Sequence, residues 1–409
     1  MIFGSRKKTR MKNKVLFVLS KFSLGMACAV ALCLFPHAAR TARAASIDES
    51  PIERLAIWCE FMPYADVEPC LPALAAARCD LILHVERESL QSTELANLLH
   101  AAARAGIDVD LWMLLPYEEH LYVGQASLAA TRALAMDVVA YLHRHRAPAR
   151  AFVMDCEPSP LLGRELFAAV TAASPRQLVR VLRDQLDPAA FRADVATLNT
   201  LLADLRASGY AVDGAANRAF LDAQSRGNVA LEDALNAPVS GISWNALSFI
   251  TYRYRASALT YLAMLSRYAT LAHRLYGPRA AIDIGLIGDY VDIPENQRRA
   301  ELFGGQDLFY SYLRGMHDTR DLQDAVSVAL ACGVRRINLY ALDGAVTSVA
   351  GLESWLAAAR RARPASFFAR WTPLRSLQAA ALGALTEKGF RWFTGGSIQT
   401  HGPIQYAEP

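Results

Sequence analysis

The sequence is poor in residue patterns that hold metal ions. Its seven cysteines form no C-x-x-C pair, and its nine histidines lack the spacing of a zinc-binding motif. These absences do not support a structural zinc site. They also argue against a phosphodiester hydrolase, which would need a metal cluster or paired histidines at its strand ends. We therefore expect no metal and no cofactor.

Basic clusters are also missing once the N-terminal segment is set aside. The whole chain has 43 lysines and arginines against 39 acids, a formal net charge of +4. Nine of those basic residues and none of the acids lie in residues 1–44, which leaves 34 basic and 39 acidic residues, or −5. We therefore expect no surface for nucleic acid or for an anionic membrane.

The longest apolar run near the N-terminus is short for a membrane span. Residues 22–35 read FSLGMACAVALCLF, whereas a transmembrane helix needs about 20 residues. A basic stretch precedes this run and the small-residue segment TARAAS follows it, the pattern of an export signal cleaved after Ala44. An uncleaved anchor is the alternative. We expect a secreted or periplasmic protein with no membrane contact after cleavage.

Cysteines beyond the predicted cleavage site are few and odd in number, so at least one thiol stays outside any disulfide. Two of them fall within predicted strands, where a cysteine packs as a small apolar residue. We therefore expect most of them to be buried thiols rather than bridges. The five are Cys59, Cys70, Cys79, Cys156 and Cys332.

No G-x-G-x-x-G loop follows the first predicted strand, which disfavours an open doubly wound sheet. The chain instead repeats one order: an Ala- and Arg-rich helix end, a glycine, and then a β-branched or apolar run, as in ALACGVRRINLYALDG. This order is typical of βα units. Eight strands are predicted, near residues 54–60, 80–86, 108–115, 150–157, 210–213, 246–253, 281–289 and 335–343.

Eight strands that alternate with helices predict a (β/α)8 TIM barrel. Residues 160–245 are mostly helical in pattern and hold only the weak fifth strand, which predicts a helical insertion between strands four and six. The predicted domains are a signal peptide over residues 1–44, the barrel over 45–365, and a C-terminal helix and tail over 366–409, to which no role is assigned.

Acids and aromatic residues dominate the predicted barrel mouth. The site of such a barrel lies at the carboxyl ends of its strands, and alternation predicts which side chains face inward there. Aromatic rings stack on sugar faces and a carboxylic acid can protonate a glycosidic oxygen, so this mixture favours carbohydrate. The residues placed at the mouth are Trp58, Glu60, Trp112, Asp155, Glu157, Tyr252, Asp289, Asn338 and Tyr340.

The segment FVMDCEPSP, residues 152–160, carries the strongest single signal. Alternation points the carboxylates of Asp155 and Glu157 to one side of the strand, with Cα atoms about 6 to 7 Å apart. A neighbouring carboxylate raises the pKa of its partner, so we expect Glu157 to be a general acid that Asp155 tunes. Other pairs such as Asp108 and Asp110 share this spacing, and a solvated strand end is the alternative interpretation.

Three segments resemble family 18 of the glycoside hydrolases, the chitinase-like barrels. DCEPSP is similar to the DWExP end of the family's DxxDxDxE motif, ITYR at 250–253 is similar to MxYD, and LYALDG at 339–344 is similar to the eighth-strand segment. The resemblance covers the barrel from strand four to strand eight. It implies a proton donor at Glu157, an acid that assists the substrate's N-acetyl group at Asp155, a tyrosine near that group at Tyr252, and an aromatic floor at Tyr340.

The chain departs from that family at three of its aspartates. Arg150, Val153 and Arg253 stand where the family motifs carry acids. A different partner acid is then needed, and Glu60 is the leading candidate as nucleophile or base, followed by Asp289. A Glu60 that pairs with an arginine is the alternative. Arg253 is expected either to grip an anionic sugar or to pair with a nearby acid.

Two functions follow from these residues. One is an exported glycoside hydrolase that cleaves a polysaccharide with Glu157 as general acid. The other is a catalytically inactive barrel that binds glycan, which the missing aspartates favour. The expected partner in both is a polysaccharide or oligosaccharide. The predicted catalytic residues are Glu157, Asp155, Tyr252 and Glu60, and the predicted substrate-binding residues are Trp58, Trp112, Arg253, Asp289, Asn338 and Tyr340.

Overall fold

The computed structural model describes residues 50–116, 122–172, 174–253, 257–294 and 315–365. The predicted signal segment and its cleavage site lie outside these residues, and so does the predicted C-terminal helix and tail. Within the described ranges, no helix is both long enough and apolar enough to cross a membrane.

Eight parallel strands close into a barrel, which confirms the predicted (β/α)8 class. Each strand pairs with its neighbour in the chain, and the first pairs with the last. The strands are β1 (Arg54–Cys59), β2 (Cys79–Val85), β3 (Val109–Met113), β4 (Ala151–Cys156), β5 (Ala211–Asn217), β6 (Leu247–Ile250), β7 (Ala280–Gly285) and β8 (Arg336–Tyr340).

Helices connect these strands, and in the described residues three of them lie between β4 and β5. The described helices are α1 (Tyr64–Val67), α2 (Leu71–Ala76), α3 (Glu94–Arg104), α4 (Leu128–His145), α5 (Pro160–Thr171), α6 (Pro175–Asp184), α7 (Pro188–Ala207), α8 (Ala219–Gln224), α9 (Ala230–Ala234), α10 (Ala258–Tyr276), α11 (Thr319–Ala331), α12 (Leu342–Thr347) and α13 (Leu352–Arg361). Short 3-10 turns cover Glu68–Cys70, Arg87–Gln91, Gly277–Arg279 and Tyr290–Asp292.

Strand side chains alternate between two hydrophobic clusters, one outside the barrel and one inside it. On β1, Ile57 packs in the outer cluster under the helices, whereas Trp58 packs in the inner one. On β4, Phe152 and Met154 lie outside and Val153 lies inside. The period of two therefore confirms the facing predicted for both strands. Because helices cover the outer face, the strands are buried on both sides.

Salt bridges close the amino-terminal end of the barrel. Arg150 donates two hydrogen bonds to Asp110, at 2.7 and 2.5 Å, and one to Asp213 at 2.8 Å. Arg54 donates to Asp110 at 2.6 Å and to Asp80 at 2.8 Å. A cavity of about 20 Å³ lies beside this cluster, below Trp58, and is wide enough for one water molecule. Arg150 therefore takes part in the salt bridges at the amino-terminal end of the barrel.

The five cysteines of the described chain are free thiols, as predicted. Four are buried and Cys332 is half-buried. Burial raises the pKa of the Cys59, Cys79 and Cys156 thiols, because it disfavours the thiolate. These cysteines therefore act as small apolar packing residues.

Candidate functional site

Glu60 follows β1 directly and is buried at the carboxyl end of the barrel. Its Oε2 atom accepts hydrogen bonds from the hydroxyls of Tyr290 and Tyr340, whose own oxygens lie 3.1 Å apart. Two phenol donors on one oxygen favour the ionised carboxylate. The two hydroxyl groups thus fix the position of the Glu60 carboxyl group at this end of the barrel.

The side chain of Asp343 accepts hydrogen bonds from the backbone of the segment that carries Glu60. This aspartate lies in α12, just after β8, and its Oδ2 accepts the backbone N–H of Glu60 at 3.0 Å. Its Oδ1 accepts the N–H groups of Phe61 at 2.7 Å and Met62 at 2.9 Å. Burial raises the pKa of Asp343, and the backbone donors partly offset that rise. The sequence reasoning missed this residue, because a backbone contact across 282 residues leaves no local pattern.

Asp155 lies inside the barrel on β4, two residues beyond the inward-facing Val153. Its side chain is 6 % exposed, and its Oδ1 has no hydrogen-bond partner among the described residues. Burial, and then the charge of Glu157, raises the pKa of Asp155 well above its usual value. The indole of Trp112 lies near enough to lower that pKa slightly, but its N–H makes no hydrogen bond of normal geometry.

Glu157 follows β4 immediately and is half-buried at the mouth. Desolvation of its carboxyl raises its pKa to about 7, a rise that Arg218 opposes and that the charges of Asp283 and Glu60 reinforce. A carboxylic acid that keeps its proton near neutral pH can donate it to a leaving group. The predicted pair of Asp155 and Glu157 thus lies within one electrostatically coupled group of four acids.

Asp283 is the acid of this group that the sequence reasoning missed. It lies on β7 with no exposed surface, and its Oδ1 accepts the indole N–H of Trp58 at 3.1 Å and the amide of Asn338 at 2.7 Å. Burial raises its pKa to about 6, and the bond from Asn338 opposes that rise. Alternation could have found it, because Asp283 and Asp289 share one phase of the predicted strand.

Aromatic rings surround these acids. Trp58 meets Trp112 edge-on with ring centroids 5.0 Å apart, and Tyr340 lies 6.1 Å from Trp58. Tyr252, the tyrosine of the family resemblance, lies 4.8 Å from Tyr340, and Tyr290 lies 5.0 Å from it. All five rings belong to the inner cluster or pack against it. The structure thus brings the predicted aromatic residues together around the acids.

Two predicted substrate-binding residues have other partners. Arg253 donates to Asp321 of α11 at 2.6 Å, which matches the alternative of pairing with a nearby acid. Asp289 lies beyond the end of β7, because the chain leaves the barrel ladder at Gly285 and turns at Gly288, whose φ is 62°. The Asp289 side chain is 39 % exposed and its carboxylate lies 3.6 Å from His317.

Metal chemistry finds no support in the described ranges. No group of three or more histidine, cysteine or acidic side chains there has a geometry that could hold an ion. The site is therefore defined by its four acids and its aromatic rings.

Fold and site together define the class: a (β/α)8 barrel whose mouth combines coupled carboxylic acids with aromatic rings. No protein-family model matches the sequence, and a search of curated proteins finds no match either.

Solved structures similar to the chain include a D-psicose 3-epimerase crystallised in the presence of D-fructose, with 13 % identity, 78 % of this chain and 99 % of that chain covered, and a TM-score of 0.38. An L-ribulose 3-epimerase has 15 % identity, coverage of 86 % and 99 %, and a TM-score of 0.40. A glucosidase from Croceicoccus marinus has 8 % identity, coverage of 76 % and 66 %, and a TM-score of 0.40. The barrel assignment rests on the closed ring of eight strands itself.

Proposed function

We propose that the protein is an exported glycoside hydrolase that cleaves a polysaccharide or oligosaccharide, with Glu157 as the general acid. The observation that carries the proposal is the Glu157 carboxyl, whose pKa of about 7 keeps it largely protonated up to neutral pH, at the mouth of an aromatic-lined barrel. Export rests on the pattern of the first 44 residues.

In this proposal each acid has a separate catalytic role. Glu157 protonates the glycosidic oxygen as the bond to the anomeric carbon breaks. Glu60, fixed by Tyr290 and Tyr340, attacks that carbon or activates a water molecule. Asp155 lies beside Glu157 and, once ionised, stabilises the positive charge of the transition state. The rings of Trp58 and its neighbours bind the apolar faces of the sugar.

The test is the release of reducing ends from a panel of chitin-type and bacterial glycans. We expect the wild-type chain to cleave at least one of them and Glu157→Gln to lose activity by a factor of about 100 or more, as for a lost general acid. Glu165→Gln is the matched control, because Glu165 is exposed on α5, the helix that follows Glu157. Full activity in the Glu157→Gln variant would rule out the proposed role.

A glycan-binding barrel without catalysis is the second candidate function. Val153 and Arg253 favour it, because each replaces an acid of the resembled family, and Arg253 is engaged by Asp321. Retention of a glycan by wild type, with no release of reducing ends, would select this function.

A further inference from the structure

The mouth groups acids that form no ion pair with a cation of the described chain. No lysine, arginine or histidine of the described ranges lies within 4.0 Å of a carboxylate oxygen of Asp155, Glu157 or Asp283. The cationic group that acts on Glu157 is Arg218, which lowers its pKa without forming such a pair. Arg253 lies nearby in the chain but pairs with Asp321.

Unsatisfied carboxylate oxygens point to a missing partner. Asp155 Oδ1 has no hydrogen-bond donor among the described residues, although Asp155 is only 6 % exposed. Asp283 Oδ2 also has no hydrogen-bond donor among the described residues. Leaving a buried carboxyl oxygen without a donor costs about 1 to 3 kcal/mol, so such groups are usually kept for a ligand or a function.

The aromatic rings fit the same kind of partner. Trp112 lies near Asp155 and meets Trp58 edge-on, and Tyr340 of β8 lies 6.1 Å from Trp58. A cation near such faces gains about 0.5 to 2 kcal/mol from the ring quadrupoles once it is desolvated. Acids that pair with no cation of the described residues, next to these rings, thus favour a positively charged group over a neutral one.

We propose that the ligand of this mouth carries a protonated amino group that pairs with Asp155, so that the preferred glycan is built from amino sugars whose nitrogen is not acetylated. The proposal rests on the proposed function for its sugar. An ammonium group donates three hydrogen bonds and carries the charge that the acids lack, whereas an acetamido group is neutral. An anionic sugar would add to the repulsion.

The test compares three β-1,4-linked hexasaccharides that differ only at carbon 2: glucosamine with an amine, N-acetylglucosamine with an acetamide, and glucose with a hydroxyl. We measure their affinities for the full mature chain by calorimetry at pH 7, and repeat them in Glu157→Gln to remove turnover. The amine hexamer should bind at least about tenfold more tightly than the other two, the equivalent of about 1.4 kcal/mol. Equal affinities, or tighter binding of the acetylated hexamer, would overturn the proposal.

Variants separate the proposed contact from general electrostatics. Asp155→Asn should weaken binding of the amine hexamer by about tenfold and change the glucose hexamer less than about twofold. Asp137→Asn is the control, because Asp137 is an exposed acid on α4 that pairs with Arg87. It should leave all three affinities unchanged. Equal losses for the amine and glucose hexamers in Asp155→Asn would show a structural role only.

Proton release gives a readout that does not depend on catalysis. The free site holds protons on Asp155 and Glu157 at mildly acidic pH, and a bound ammonium favours their ionised forms. Calorimetry at pH 6.5 in two buffers of different ionisation enthalpy should therefore show release of on the order of one proton with the amine hexamer. It should show none with the glucose hexamer, and equal release with both would contradict the proposal.

These results separate the two proposals from each other. Cleavage of the acetylated hexamer that depends on Glu157, together with weaker binding of the amine hexamer, would retain the hydrolase and overturn the amino-sugar preference. Selective binding of the amine hexamer without release of reducing ends would do the reverse.

Discussion

At the scale of single residues, the site depends on acids that hold protons where acids usually release them. Asp283 shows the cause most clearly, because it is completely buried and still accepts two hydrogen bonds on one oxygen. Those bonds fix Trp58 and Asn338 but do not offset the desolvation of the charge. The residue thus orders the inner layer of the barrel at a cost in stability.

Asp283→Asn should stabilise the protein at pH 8. The asparagine oxygen can still accept from Trp58 and Asn338, while the buried charge is gone. Raising the pKa from 3.8 to about 6 corresponds to up to about 3 kcal/mol at about 1.4 kcal/mol per unit. Urea unfolding at pH 8 measures the gain, and at pH 4 it should nearly vanish. A gain of equal size at both pH values would show that the charge is not its source.

The proposed hydrolysis should lose activity as the pH rises through about 7. Above that pH, Glu157 releases the proton that it must donate, so kcat/KM should fall tenfold for each further pH unit. Asp283→Asn removes one of the charges that hold this proton, and should shift the midpoint to lower pH. An unchanged midpoint in the variant would show that the charge of Asp283 does not raise the pKa of Glu157.

The sequence could predict those site residues that follow strand alternation. Trp58, Trp112, Asp155 and Tyr340 lie inside the barrel because their strands run as predicted. Tyr290 could not be found this way, since it lies on a 3-10 turn after β7 whose position depends on the turn at Gly288.

At the scale of elements, the loop after β1 and the helix after β8 form one unit. Asp343 in α12 binds three consecutive backbone N–H groups of residues 60–62, and thereby positions Glu60. Gly288 and Gly344 allow the β7 and β8 loops to touch, because a Cβ on Gly288 would lie 2.0 Å from the Gly344 carbonyl oxygen. The close approach of Gly288 and Gly344 therefore joins the segments after β7 and β8 at the end of the barrel that carries the site.

Asp343→Ala should release the segment 60–62 without unfolding the barrel. The three N–H groups lose their acceptor, and hydrogen exchange at these amides should accelerate by a factor of about 10 or more, since each lost bond is worth about 1 kcal/mol. Exchange in β4 should stay unchanged, and Asp137→Ala serves as the surface control. Unchanged exchange at residues 60–62 would assign their position to other contacts.

Strand positions were predictable because several strands follow a helix end and a glycine, and each of the eight predicted runs overlaps an observed strand. The fifth run was too short, since Ala211–Asn217 extends four residues past the predicted end at residue 213. Its later residues, Gly214 to Ala216, are small and lack the β-branched side chains that mark a strand. The barrel supplies their hydrogen-bond partners from both neighbouring strands.

At the scale of the whole molecule, the ion pairs at the amino-terminal end of the barrel contribute to stability and lie at the opposite end from the site. Arg150→Met should cost about 3 kcal/mol of unfolding free energy, because it removes two hydrogen bonds from Asp110 and one from Asp213, while Asp110 keeps the bond from Arg54. Arg132→Met, which breaks the exposed pair with Asp204, should cost less than about 1 kcal/mol. Urea unfolding of both variants is the measurement, and equal losses would contradict the assignment.

Stability as a whole should fall as the pH rises from about 4 to about 7. Glu157, with a pKa raised to about 7, and Asp283, raised to about 6, bind protons in the folded state that the unfolded chain has released. Because the folded state then binds more protons, the unfolding free energy decreases with pH across this window. Unfolding temperatures across it test the sign, with the double variant Glu157→Gln, Asp283→Asn expected to be flatter. A rise in stability across the window would refute it.

The pairing of β1 with β8 bears on how the chain is made. Leu55 lies opposite Ile337, so the first strand cannot gain its second neighbour until nearly the whole barrel has been synthesised. Until then β1 has one open edge, and that edge is able to pair with another emerging chain. Synthesis of the last strand, at residues 336–340, therefore allows the nascent chain to close its own barrel. A chain that stops before this strand has two unpaired strand edges, whereas the closed barrel has none.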